Sequence, residues 1–83
     1  MSYEKVKQAN HLIVGTKQAT KMIEQGKAYE VIVARDADPK ITAKTINLCK
    51  KMGVQVTFVD SMKQLGKACG IEVGAAVVAL VNK

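Results

Sequence analysis

Val31-Ile32-Val33-Ala34-Arg35-Asp36-Ala37-Asp38-Pro39 sets two fold signals back to back. Val31 to Ala34 is a continuous apolar run, the pattern of a strand covered on both faces. Asp38 then offers an N-cap, and Pro39 falls at the first helical position, where its missing N–H is no loss. The spacing predicts a helix from there to about Met52, stopped by Gly53. Its expected apolar stripe is Ile41, Thr45, Leu48, Cys49 and Met52, with Lys40, Lys44 and Lys51 outside it.

The same alternation continues on both sides. Upstream, Ser2 can cap a short helix through Ala9, and His11 to Val14 reads as a brief strand ending at Gly15. Thr16 is the expected N-cap of a helix to about Gln25, closed by Gly26. Ala19, Met22 and Ile23 form its apolar face, while Lys17, Lys21 and Gln25 share the opposite face with Gln18 beside them. Downstream, Val54 to Val59 is a strand, and Ser61 to Gln64 matches a capping box. The helix it opens runs to Gly70 with Leu65, Ala68 and Cys69 inward, and Glu72 to Val81 is the final strand. Gly66 costs that helix about 1 kcal/mol against Ala, and close packing would explain its presence. Helices alternating with short covered strands give an α/β layered domain, with helices on both faces of a roughly four-stranded sheet.

Composition narrows function. The 83 residues fit one domain, 1–83, whose 48% hydrophobic content suffices for one small core. Aromatics are 4%, so a nucleic-acid site cannot rest mainly on stacking. Thirteen Lys and Arg against seven Asp and Glu leave a net charge of +6, which favours polyanionic partners. The positive charge is clustered: Lys5, Lys7, Lys17 and Lys21 in one stretch, Lys40, Lys44, Lys50 and Lys51 in another. No secretory pattern or membrane-length apolar run occurs, which sets the expectation of a cytoplasmic protein without a membrane role. The single histidine, His11, leaves no zinc set and no Ser/His/Asp set, and Cys49 and Cys69 fall on core faces. An enzyme or thiol-redox domain is therefore the remote alternative. No cofactor, metal or small-molecule substrate is expected, and a monomer is the default.

Gly15 to Lys21 fits an RNA reader. Gly15 permits close backbone approach, and the helix N-terminus favours phosphate. Lys17 and Lys21 can donate to guanine, while Gln18 can donate and accept at a base edge. The same residues also fit an ordinary solvated helix face.

Three separated motifs extend this reading. Gly15-Thr16-Lys17-Gln18-Ala19-Thr20-Lys21, Ala34-Arg35-Asp36-Ala37-Asp38-Pro39 and Leu65-Gly66-Lys67-Ala68-Cys69-Gly70-Ile71-Glu72-Val73 occur in this order. Together they resemble the signatures of the L-seven-Ae and L-thirty-e ribosomal protein family, and most nearly its short bacterial, YbxF-like branch. The resemblance spans essentially the whole chain. It implies a three-layer α-β-α sandwich with a mixed sheet, and binding to kink-turns, RNA helices bent at a three-nucleotide bulge beside tandem sheared G·A pairs. By that similarity Lys17, Gln18 and Lys21 would meet the G·A edges, with Gly15 and Thr16 on the backbone. Gly70, Ile71, Glu72 and Val73 would lie against the bulge, and Asp38 and Lys63 would line the pocket for a flipped-out nucleotide. Archaeal and eukaryotic members usually carry Asn then Glu where this chain has Lys17 and Gln18. Ribosomal or riboswitch RNA are the implied partners, and an integral large-subunit component is the alternative role.

Overall fold

The structure is a computed structural model that describes residue 6 and residues 11–81. Four strands form one sheet: β1 (His11–Val14), β2 (Ala28–Ala34), β3 (Gln55–Val59) and β4 (Val77–Val81). Three helices lie between them: α1 (Thr16–Glu24), α2 (Pro39–Met52) and α3 (Met62–Ala68). The expected helix over Ser2–Ala9 lies outside the described residues except for Val6, which is helical and fully buried.

The strand order is β1-β4-β2-β3. β4 runs antiparallel to both β1 and β2, while β2 and β3 are parallel. A parallel neighbour needs a crossover, and α2 supplies it. The sheet is therefore mixed, with helices on both faces, the three-layer α-β-α arrangement.

Side-chain alternation separates two cores. Val31, Val33, Val77 and Ala79 pack with Ala19 and Ile23 of α1 and Cys49 of α2. Ile32, Ala34, Val78 and Leu80 pack on the other face with Leu65 of α3 and Val6. Every residue of β4 is buried because both its faces are covered, so its sequence reads as unbroken apolar. Each fully buried Ile or Leu contributes about 1.5–3 kcal/mol relative to exposure.

Two strand boundaries and one helix face differ from the sequence reading. β2 begins three residues earlier, at Ala28, with a register shift between Ala28 and Glu30 that leaves Tyr29 exposed. The stripe of α2 is rotated: Thr42, Thr45 and Cys49 are buried, while Ile41 and Met52 are 44% and 43% exposed. Cys49 on that side packs with Ala19 and Ile23 of α1 and with Val31 and Val33 of β2. The last strand begins at Val77 rather than Glu72. Backbone groups of Ile71 and Ala75 donate instead to carbonyls of Gly66 and Met62 in α3 (3.1 and 3.0 Å), so this segment is a loop tied to a helix.

Candidate nucleic-acid interface

β1, β2 and β3 end, and β4 begins, at one rim of the sheet, and all three helices start there. Short backbone bonds knit the rim: Gly15 N–H to Val77 O (2.9 Å), Ala34 N–H to Ala76 O (2.9 Å) and Arg35 N–H to Val59 O (2.8 Å). The topology thus gathers Gly15–Gln18, Asp38 and Lys63, which are scattered along the sequence. Lys21 lies one helical turn away. Gly70–Val73, by contrast, follows the far end of α3 and returns along that helix to Ala75, whose N–H is bonded to Met62 O.

Gly15, not Thr16, is the N-cap of α1, with φ 108° and ψ 143°. That positive φ turns the chain from strand to helix within one residue, which places Thr16 inside the first turn. Thr20 Oγ1 donates to Thr16 O at 2.7 Å. No side chain caps α1, and no acidic residue stands in its first turn. Its leading N–H groups therefore face a position suited to an anion. Lys17, Gln18 and Lys21 are exposed, whereas Ala19 and Ile23 anchor the opposite side of the helix.

Asp38 caps α2: its Oδ1 accepts from Lys40 N–H at 2.9 Å, and its carbonyl accepts from Ile41 and Thr42 N–H. Asp36 has a role that sequence reading missed. Its Oδ1 accepts the N–H of Met62 at 2.8 Å, joining the β2–α2 loop to the start of α3. No local pattern signals this bond, because its partners are 26 residues apart. Ser61 Oγ also accepts from Gln64 N–H, so α3 is capped twice. Asp36→Ala should lower stability by about 1 kcal/mol through loss of this cap. A denaturant midpoint that falls at constant m-value checks it; an unchanged midpoint refutes the linking role.

Lys63 is exposed beside Met62. Gly70, Glu72 and Val73 are exposed, Val73 by 70%, while Ile71 is half-buried against the α3-side core. Of the two apolar residues in this loop, only Val73 presents most of its surface to a partner. The Lys40–Lys51 cluster is split. Lys40 and Lys44 stand in the first half of α2, near the rim, but Lys50 and Lys51 lie in its last turn, about 15 Å along the axis, where they complement the helix dipole. Lys5 and Lys7 lie outside the described residues.

Cys49 is fully buried and Cys69 is half-buried at the C-cap of α3. Burial pushes both thiols up, which suppresses the thiolate. Among the described residues no group of three or more His, Cys, Asp or Glu could hold a metal ion, and no helix is long and apolar enough to cross a membrane.

Comparison with known proteins adds family information. A model of the ribosomal protein L7Ae/L30e/S12e/Gadd45 family matches residues 2–83. An RNA-binding protein of Geobacillus sp. (strain WCH70) is 59% identical over 82 residues, covering 99% of this chain and 100% of that one. The RNA-binding protein YbxF of Geobacillus stearothermophilus is 54% identical over 82 residues, with the same coverage. The solved structure of a Giardia lamblia 15.5kD RNA binding protein superposes with a TM-score of 0.88 at 33% identity, covering 98% of this chain and 71% of that one.

Proposed function

This chain belongs to the ribosomal protein L7Ae/L30e/S12e/Gadd45 family, and from that premise we propose that it is a non-enzymatic RNA-binding protein that recognises kink-turns and holds them in the kinked form. The observation that carries the reading is the uncapped, acid-free start of α1 at the rim, with exposed Lys17, Gln18 and Lys21 on that helix and Gly15 tied to the start of β4 through Val77 O. A phosphate sits at the helix N-terminus, and the three side chains reach base edges beyond it. The kink opens a major groove that is too narrow in regular A-form RNA. Binding only the kinked conformer shifts the RNA population toward it. The protein acts as a cytoplasmic monomer.

The test is a binding titration at one fixed salt concentration against two RNAs. One is a standard kink-turn, and the other has its sheared G·A pairs replaced by Watson–Crick pairs. The reading requires strong preference for the first. Equal, salt-sensitive binding to both would leave only a non-specific electrostatic attraction.

A further inference from the structure

β3 stands at one side of the sheet, and among the described residues nothing pairs with its outer edge. The hydrogen-bond pattern determines which groups that edge presents. Val59 O accepts from Arg35 N–H at 2.8 Å, so Val59 faces β2. Residues of a strand turn their backbone groups to the two sides in alternation. Thr57 and Gln55 therefore also face β2, while Val56 and Phe58 turn their N–H and C=O outward. Such an edge is a template for another strand, and proteins usually blunt it with Lys, Pro or a bulge. Gln55–Val59 has none of these: its residues are uncharged, and all five pair with β2 without a register shift.

The side chains beside the outward groups are apolar and open. Val56 and Phe58 share a sheet face with their register partners Val31 and Val33. Val33 is covered, yet Phe58, the only phenylalanine in the chain, is 44% exposed, so the opening lies at the edge. A groove of about 410 Å³ beside it is lined by Arg35, Pro39, Thr42 and Phe58 among others. The Arg35 guanidinium lies over the Phe58 ring, 5.6 Å from its centroid, within cation–π range. Arg35 thus marks the rim end of the edge. Lys50 and Lys51, in the last turn of α2, mark the other end, just before Gln55. The exposed carboxylate nearest to the strand in sequence is Asp60.

Charge decides among the strands that could cover this edge. A second copy would set a net charge of +6 against the same charge, whereas an acidic segment is attracted. We propose that the β3 edge takes an extended, acidic segment of a protein partner as a fifth strand. Its backbone pairs with Val56 and Phe58, alternate apolar side chains lie over the same two residues, and carboxylates at its ends meet Arg35 and Lys50. None of these residues is assigned above to RNA, and the proposal does not rest on the kink-turn reading.

The probe is a synthetic peptide, Glu-Glu-Val-Thr-Val-Thr-Val-Glu-Glu, blocked at both ends. Its control has each valine replaced by proline, which keeps the charge but cannot pair as a strand. On titration with the probe, the amides of Val56 and Phe58 should exchange with solvent about tenfold more slowly, and the control should leave them unchanged. Val56→Pro removes an outward N–H and spares the β2 ladder, so it should weaken the probe about tenfold while RNA binding is retained. Phe58→Thr keeps a strand-forming residue but removes the ring. It should weaken the probe to a similar extent, and it serves as the second variant if Val56→Pro fails to fold. Unchanged exchange at Val56 and Phe58, or equal binding of the proline peptide, overturns the proposal. Slowing without peptide that grows with protein concentration, together with a doubled mass in sedimentation, also overturns it, because a second copy then holds the edge. Slowing caused by kink-turn RNA alone overturns it as well, because the edge then belongs to the RNA surface.

Discussion

Gly66→Ala should lower thermal stability and weaken RNA binding together, despite improving local helix propensity. Gly66 is buried within α3, and a methyl group there would overlap the carbonyl of Val73 and press on Gly74 Cα. These are backbone atoms, so no rotamer change relieves the overlap. Ala gains about 1 kcal/mol of helix propensity over Gly. Against this, overpacking costs about 1–3 kcal/mol. The shift also endangers the hydrogen bonds from Ile71 to Gly66 and from Ala75 to Met62, each worth about 1 kcal/mol net. With both bonds lost the balance is about 2–4 kcal/mol of destabilisation, and each kcal/mol lowers Tm by about 4–8 °C in a domain of this size. Gly74→Ala is the graded control. Its methyl would meet Met62 Cβ at 3.1 Å and Met62 backbone C and O at 3.3 and 3.4 Å, a milder crowding than the direct overlap at Gly66. A Gly66→Ala variant with undiminished Tm and wild-type RNA affinity would show that this loop is not held as described.

The same glycine marks where sequence reading reaches its limit. Gly66 stands out as a helix breaker inside a helical pattern, and close packing is the expected explanation. What it packs against is a loop, and nothing local names that loop. Elements with strong local chemistry were readable: Asp38 and Pro39 start α2, Gly53 ends it at φ 72°, and Ser61 caps α3. Elements decided by long-range pairing were not. Glu72 to Val81 is apolar enough for one strand, yet Ala75 in its first half donates to Met62 O in α3. Thr16 has the side chain of an N-cap, but the positive φ of Gly15 moves the cap back one residue. The candidate interface followed the same rule. Lys17, Gln18 and Lys21 are exposed as their helical spacing demands. Asp36 was missed because its partner Met62 is distant in sequence, and the Arg35–Phe58 groove because it joins a loop to an edge strand.

Gln18→Ala and Lys21→Ala should each cost about 1–3 kcal/mol of binding to a kink-turn, and far less on the Watson–Crick control. Every 1.4 kcal/mol is tenfold in Kd, so the losses run from several-fold to more than a hundredfold. The two residues are three apart on α1 and share one exposed side, which lets them act on one groove together. Neither replacement should change stability by more than about 0.5 kcal/mol, because both side chains lie outside the core. Reduced binding therefore cannot be credited to unfolding. Salt dependence separates the two kinds of contact. Gln18 is uncharged, so its loss should leave the slope of log K against log salt unchanged. Lys40→Ala and Lys44→Ala, on the exposed side of α2, should weaken all RNAs about equally if they meet phosphate, each reducing the slope by about 1. The decisive comparison is Gln18→Ala with Lys44→Ala on both RNAs. If Gln18 reads a base, its loss erodes the preference for the kink-turn while that of Lys44 preserves it. Equal losses on every RNA from both variants would mean that α1 contributes only charge and surface to binding, and base readout by this helix would have to be abandoned.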